Sequence, residues 1–335
     1  SIISPGIRRG FLTPTVPIVS TTTTIKPSPE TPLAKLLIAM GDIKLAHSVF
    51  AMPFAILGAF LVAPYMGDAP VHGIDWATMG KMLVLVVLCM VFARNWAMLF
   101  NRVVDAKVDA DNPRTARRAF ASGALKARDG YLLLGINAAA FMIVCSLFGL
   151  LLGNWWPTIL GIPVLIWIAF YSLTKRFTWL CHIFLGGALA ASPIAAAIAV
   201  GPELLVHTPS VFWIAGMVLC WVAGFDIIYA LQDLDYDRSV GLNSMPAKFG
   251  WRGALWISRL LHIFAVACLL MALRSNEALG TAFTIAIALT SGLLIAEHAL
   301  LIRRGKAGIP MAFFTLNGVV SIILGVAGCI DIILN

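Results

Sequence analysis

The residues best suited to chemistry are three polar side chains spaced four positions apart in the segment NRVVDAKVD. Asn101, Asp105 and Asp109 share one face of a helix, because residues four apart are neighbours on an α-helix. Like charges at this spacing repel one another unless a cation lies between them. The spacing therefore indicates a cation-binding face.

A second acidic face is encoded in the segment DIIYALQDLDYD. Asp226, Asp233 and Asp237 occupy positions i, i+7 and i+11, again one side of a helix, with Tyr229 beside them. Both clusters end a long apolar run, where carboxylates are retained together with an ion or a partner. Mg²⁺ takes carboxylate oxygens together with substrate phosphates. We therefore predict that Mg²⁺ is bound by Asp105, Asp109, Asp226, Asp233 and Asp237, and that Asp105, Asp109, Asp233 and Asp237 are catalytic.

Basic residues follow the first cluster and recur in a later loop. Arg114 and Arg118 come directly after the first cluster, and Lys175 and Arg176 lie in the segment YSLTKRFTW. Loops that flank membrane helices are commonly basic, so their position beside the membrane explains part of this pattern. Mg²⁺ with Arg and Lys around one pocket is also what a diphosphate leaving group requires. We predict that these four residues and Asn101 bind a diphosphate.

Arg94 lies inside an apolar run, seven residues before Asn101 and on the same helical face. An arginine at membrane depth needs an anion. That anion is the diphosphate, an aspartate or the carboxylate of a second substrate. We assign Arg94 to the carboxylate, because a guanidinium matches its two oxygens in a way that lysine does not.

The elements that position these residues are membrane helices. Of the 335 residues, 60% are hydrophobic and only 12% are charged, which is too few charges to coat a soluble protein of this size. We predict an all-α polytopic membrane protein of nine transmembrane helices, since nine apolar runs approach the ~20 residues that span a bilayer. Their approximate limits are 44–65, 80–104, 131–152, 155–173, 179–200, 210–232, 254–273, 279–302 and 309–334.

The distribution of basic residues predicts the orientation. Of the 24 Lys and Arg residues, 19 fall in loops on the side of the N-terminus, and only Lys81 and Arg274 fall in loops on the other. The positive-inside rule then places the N-terminus in the cytoplasm and the C-terminus outside. The net charge of +8 is read as attraction to anionic lipid and substrate, not to nucleic acid. Residues 1–33, with six prolines, are predicted to be a disordered cytoplasmic tail before one membrane domain, 34–335.

The two acidic clusters together resemble the UbiA superfamily of intramembrane aromatic prenyltransferases. The motif NxxxDxxxD is matched by Asn101, Asp105 and Asp109, and the second motif by Asp226, the stretch YALQD and Asp237. The segments NPRTARR, YSLTKRFTWLCH and IKLAHSVFAMPFAILGA resemble the bacterial 4-hydroxybenzoate polyprenyltransferase-like group. Two departures from that pattern, Trp96 and AFASGAL, leave the acceptor as the weakest part of the resemblance.

The resemblance implies a helical bundle around a cavity open to lipid. It also implies Mg²⁺-dependent transfer of a polyprenyl group from polyprenyl diphosphate to 4-hydroxybenzoate or a dihydroxynaphthoate, in quinone biosynthesis. An allylic cation attacks the ring beside a hydroxyl, and no obligate protein partner is implied. Arg94, His47 and Tyr229 are the expected acceptor-binding residues; Tyr229, Phe50 and Phe54 are aromatic neighbours for the cation. The expected location is the bacterial inner membrane, with the mitochondrial inner membrane as the alternative.

Other functions stay open at this point. The same chemistry on haem, a glycerol phosphate lipid, chlorophyllide or homogentisate uses the same motifs. A cation-coupled transporter is the alternative from another class, but the acidic residues cluster at one membrane face and do not continue along a pathway. His182, His262 and His298 are interpreted as structural.

Overall fold

The computed structural model describes residues 31–43, 50–65 and 75–335. Within these ranges the chain is helical and contains no strand. Residues 1–30 of the predicted tail, and His47, lie outside the described residues. The α-helices are α1 (Pro32–Ile43), α2 (Met52–Val62), α3 (Trp76–Val104), α4 (Ala106–Asp111), α5 (Ala127–Leu152), α6 (Trp156–Thr174), α7 (Cys181–Val200), α8 (Ser210–Ala230), α9 (Leu234–Ser239), α10 (Met245–Arg274), α11 (Thr281–Arg304) and α12 (Asn317–Leu334).

The described residues contain eight helices long and apolar enough to cross a membrane. They correspond to the predicted runs from 80–104 to 309–334, so the prediction of an all-helical, multi-pass membrane protein is confirmed. The first predicted run, 44–65, corresponds to α2. This helix has 11 described residues, fewer than the ~20 that span a bilayer, and residues 44–49 before it are not described.

Capping residues explain where three of these helices begin or end. The Asp75 carboxylate caps α3 by accepting a hydrogen bond from the Thr78 amide, at 3.3 Å. Gly153 ends α5 in the left-handed conformation, with φ of 75°, which glycine adopts without strain. Ser244 caps α10 by accepting a hydrogen bond from the Ala247 amide, at 3.2 Å.

Helix α8 is the centre of the bundle and packs between α7 and α10. Ile214, Met217 and Trp221 on α8 have no exposed surface. The contact with α7 is close because Gly186 presents no side chain: a Cβ at this position would lie 2.4 Å from the carbonyl oxygen of Leu219. Small residues permit such backbone contact between membrane helices.

We expect Gly186→Ala to destabilise the protein by about 1–3 kcal/mol, because the added methyl group pushes α7 away from α8. Gly135→Ala on α5 is the matched control: nothing lies within 4 Å of its Cβ position. Alanine is the better helix former, so this control is expected to be neutral or stabilising. Thermal unfolding in detergent measures both variants, and equal unfolding temperatures would contradict the close α7–α8 contact.

The C-terminal end of α12 is tied to the start of α11 by one buried carboxylate. Asp331 accepts hydrogen bonds from the backbone amides of Gly280 and Phe283, both at 2.7 Å, and of Ala282 at 3.2 Å. These amides are the free donors at the start of α11, so Asp331 acts as an N-cap supplied by another helix. This carboxylate therefore stabilises the helix packing.

Candidate active site

The first acidic cluster lies where α3 turns into α4. Asn101 is in the last turns of α3, Asp105 ends that helix, and Asp109 lies in α4. The Asn101 side-chain amide donates to the Asp105 carboxylate at 2.9 Å, as the four-residue spacing predicts. Asp105 and Asp109 are both buried.

The second cluster does not form one continuous helical face, contrary to the prediction from its spacing. A 3₁₀ turn, Leu231–Asp233, separates α8 from α9 and changes the rotation of the chain between Asp226 and Asp237. Asp226 accordingly pairs with His182 on α7, with 2.6 Å between carboxylate oxygen and Nδ1. Asp237 accepts a hydrogen bond from the Ser244 hydroxyl at 2.9 Å.

The loop after the first cluster joins the two clusters. The Arg114 guanidinium donates from Nε to the Asp233 carboxylate at 2.8 Å and from Nη1 to the Tyr229 hydroxyl at 3.1 Å. Burial is the largest influence on Arg114 and opposes its charge, but the hydrogen bonds and charge interactions with Asp233 and Tyr229 together outweigh burial and raise its pKa above the ordinary value. The Tyr236 hydroxyl adds a second link by donating to the Val108 carbonyl at 2.8 Å.

The other three predicted diphosphate-binding cations contact the first cluster. Lys175 Nζ lies 3.1 Å, and Arg176 Nη2 2.8 Å, from the Asp105 carboxylate oxygens. Arg118 Nη1 contacts both carboxylate oxygens of Asp109, at 2.8 and 2.7 Å. The loop after α6 thus brings positive charge to Asp105, and the loop after α4 brings it to Asp109. We call these eight residues the charged layer: Asp105, Asp109, Asp233, Asp237, Arg114, Arg118, Lys175 and Arg176.

The carboxylates of the charged layer suit Mg²⁺ in chemical type, since all their donors are oxygen atoms. Across the described parts of the chain, however, no three carboxylate, imidazole or thiol groups are arranged to hold a metal ion by themselves. Mg²⁺ is characteristically held by one or two carboxylates, with substrate phosphates and water completing the six ligands. The residues therefore fit Mg²⁺ bound together with a phosphate-containing substrate.

An elongated, mostly apolar cavity of about 440 Å³ lies one side chain away from the charged layer, because its lining residue Phe313 contacts Tyr229, which is hydrogen-bonded to Arg114. Arg94, Tyr171 and Asp226 are its polar lining residues near that layer. On α6 the lining runs from Pro157 to Tyr171, which is about 21 Å along the helix. Alanine, leucine and isoleucine residues of α7 line it as well, and residues of α3, α5 and α8 form the rest of the wall together with Phe50 and Phe313. The space suits a hydrocarbon chain.

Arg94 lines this cavity as a half-buried side chain. Its Nη2 donates to the backbone carbonyl of Ile43 at the end of α1, at 3.1 Å. The neighbouring Arg102, in the last turn of α3, contacts Asn101 at 3.0 Å and Asp42 at 3.6 Å. The structure thus places two arginines of α3 beside the site.

Phe50 and Phe54, both expected to be aromatic neighbours of the allylic cation, lie in different environments. Phe50 lines the cavity and contacts Phe225 and Phe313, with ring centroids 5.4 and 5.6 Å away. Phe54 has no exposed surface and packs against Trp221. Phe54 is therefore a core residue, whereas Phe50 belongs to the cavity wall.

Three residues of the site were missed at the level of sequence: His182, Phe225 and Phe313. His182 had a signal, because it closes the segment YSLTKRFTWLCH, but an isolated histidine was interpreted as structural. Phe225 directly precedes Asp226, and Phe313 lies 88 residues after Phe225. Only the packing of α8 against the turn Met311–Leu316, just before α12, brings the two rings together.

Comparisons with known proteins identify the family and the fold. Residues 51–319 match the UbiA prenyltransferase family. The 4-hydroxybenzoate octaprenyltransferase of Shewanella loihica is 29% identical over 239 residues, 71% of this chain and 79% of that protein. The apo structure of a UbiA homologue from Aeropyrum pernix has a TM-score of 0.74 at 30% identity, covering 86% of this chain and 98% of that one. A UbiA homologue from Archaeoglobus fulgidus bound to GPP and Mg²⁺ shares the fold, with a TM-score of 0.60 at 19% identity and coverage of 88% and 99%.

Proposed function

Since the chain belongs to the UbiA prenyltransferase family, we propose that it transfers a polyprenyl group from a polyprenyl diphosphate to a hydroxylated aromatic acid. The observation that carries this proposal is the charged layer beside an apolar cavity of about 440 Å³. A polyprenyl diphosphate has the same two parts, an anionic head and a long hydrocarbon tail. The Archaeoglobus homologue binds GPP and Mg²⁺, which supports the same substrate class here.

In the proposed reaction the bond between C1 of the prenyl chain and the diphosphate oxygen breaks, and the diphosphate leaves with the electron pair. Arg114, Arg118, Lys175 and Arg176 border the space for this group and stabilise its developing negative charge. Mg²⁺, when bound by the aspartates, would supply further positive charge to the diphosphate. The aspartates hold these cations in place, so the site is organised before the bond breaks.

The acceptor then supplies the electrons for the new bond. A ring carbon beside the hydroxyl attacks C1, and that carbon loses its proton. We place the aromatic acid in the polar end of the cavity, with its carboxylate on Arg94 and its ring near Tyr229. The bacterial relatives named 4-hydroxybenzoate octaprenyltransferase support 4-hydroxybenzoate as the first acceptor to test. A dihydroxynaphthoate is the second, and His47 remains a proposed acceptor contact outside the described residues.

The test of this function is prenyl transfer in membranes that contain the full chain. Labelled polyprenyl diphosphates of different lengths are incubated with Mg²⁺ and a panel of acceptors: 4-hydroxybenzoate, 1,4-dihydroxy-6-naphthoate, homogentisate, haem and a glycerol phosphate lipid. We expect labelled product with one of the two hydroxylated aromatic acids. If labelled product forms with homogentisate, haem or the lipid alone, prenyl transfer is supported but the proposed acceptor is wrong.

We further propose that the protein lies in the bacterial inner membrane with the charged layer on the cytoplasmic side. The split of basic loop residues and the bacterial relatives support this orientation. Reporter fusions at residue 240, after α9, and at residue 335 are expected to report opposite compartments, cytoplasmic for the first and external for the second. The opposite pattern, or the same compartment for both, would overturn the proposed orientation.

A further inference from the structure

An aromatic wall covers the end of the cavity that adjoins the charged layer. Phe50, Phe225 and Phe313 line this end, and their ring centroids lie 5.3–5.6 Å apart. The Phe313 ring also lies 4.2 Å from the Tyr229 ring. Because the Tyr229 hydroxyl accepts a hydrogen bond from Arg114, the wall lies one side chain away from the charged layer.

Phe313, the ring at the centre of this wall, lies in an unusual helical turn. Met311–Leu316 forms a π-helix immediately before α12. Such turns are rare, and they frequently occur at functional sites because the wider turn redirects its side chains. Here the turn presents Phe313 to Phe50, Phe225 and Tyr229 together.

A buried set of polar side chains holds the turn in this conformation. The Asn317 side-chain amide donates to the Ala312 carbonyl within the turn at 2.9 Å and to the Glu297 carboxylate on α11 at 3.0 Å. The Asn317 side-chain oxygen accepts from the Trp221 indole at 2.6 Å. Asn317, Glu297 and Trp221 have no exposed surface. Polar groups are expensive to bury inside a membrane protein, so this set has a specific task.

We propose that Phe313 is a catalytic residue whose ring stabilises the allylic cation, and that Asn317 and Glu297 are positioning residues that hold it there. The inference rests on the proposed function. When the C1–oxygen bond breaks, the diphosphate takes the electron pair and positive charge spreads over the allylic carbons at the junction of cavity and charged layer. An aromatic face within about 6 Å of a cation attracts it, most strongly where water is excluded. The acceptor ring then donates an electron pair to C1 and loses its proton.

The decisive experiment replaces Phe313 in the full chain by 4-fluoro-, 3,5-difluoro- and 3,4,5-trifluorophenylalanine. Fluorine withdraws electron density from the ring face with little change in shape. The single-turnover rate of prenyl transfer is expected to fall stepwise along the series, about 3- to 30-fold in total, while the KM for the prenyl diphosphate changes little. The same series at Phe54, which packs against Trp221 in the core, is the matched control and is expected to be flat.

A second experiment tests the positioning residues. Asn317→Ala and Phe313→Leu are each expected to lower the single-turnover rate, and the double variant is expected to be no slower than Phe313→Leu alone, because both changes remove the same interaction. Additive losses would overturn the positioning role. A flat fluorine series in an enzyme whose wild type transfers the prenyl group would refute this inference alone. Absence of transfer by the wild type would refute the proposed function, and this inference with it.

Discussion

Asp233→Asn is expected to lower kcat for prenyl transfer about a thousandfold, the scale of losing a preorganised electrostatic contact in a transition state. Asp233, in the second acidic cluster, is tied to the loop that follows the first cluster. Its carboxylate pairs with Arg114 and also accepts a hydrogen bond from the Asn112 side chain at 3.3 Å. Asparagine keeps the shape but loses the negative charge that pairs with Arg114 and that we propose to bind Mg²⁺. The kinetic signature is a fall in kcat at least as large as the rise in KM.

Asp235→Asn is the matched control for this variant. Asp235 lies two residues further along, in α9, and its exposed carboxylate pairs with Lys306 at 3.0 Å. Exposed pairs contribute little, so activity within about twofold of wild type is expected. Thermal unfolding of both variants separates loss of chemistry from loss of fold. Near-normal turnover of Asp233→Asn, or full activity of the wild type in EDTA, would contradict the metal–diphosphate site.

Arg94→Lys is expected to raise the KM for 4-hydroxybenzoate about 10- to 100-fold, the scale of a charge-assisted hydrogen bond, and to leave the KM for the prenyl diphosphate unchanged. Lysine keeps the positive charge but presents no planar pair of donors to a carboxylate. The sharper measurement compares 4-hydroxybenzoate with 4-hydroxybenzamide, which lacks the negative charge. The preference of the wild type for the acid, as a ratio of kcat/KM values, is expected to shrink in Arg94→Lys.

Arg259→Lys provides the control within the same chain. Arg259 also lies in a membrane helix, but its guanidinium packs over the Trp256 ring on α10, 4.7 Å from the centroid. Neither KM is expected to change in this variant. An increase confined to the KM for the prenyl diphosphate in Arg94→Lys would assign Arg94 to the diphosphate, and an unchanged preference for the acid would exclude it as the carboxylate partner.

The local spacing of polar residues was enough to find most of the candidate site. Asn101 and Asp105 interact across one helical turn, as residues four apart must on a helix. Each of the four predicted diphosphate-binding cations is paired with a predicted metal-binding aspartate. Residues at the ends of membrane helices meet in one thin layer, because hydrocarbon excludes charge from the rest of the span.

The partners across the bundle depended on tertiary packing. A turn too short to show in the hydrophobic pattern separates Asp226 from Asp237, so the three aspartates of the second cluster have different partners. His182 lies beside Asp226 only because α7 packs against α8. Contacts between different helices have no fixed spacing along the chain, so residue spacing does not predict them.

Composition and hydrophobic run length alone determined that this is an all-helical membrane protein, since a span needs about 20 apolar residues whatever its neighbours are. Motif spacing identified the carboxylates and cations of the candidate site, and tertiary packing decided which of them pair across the bundle. Tertiary structure decided which aromatic rings surround the cavity: Phe54 is in the core, Phe50 on the wall, and Phe313 beside Phe225. Apolar residues carry no such information locally, because a phenylalanine facing lipid, core or cavity has the same hydrophobicity, and only the packing of specific helices distinguishes the three.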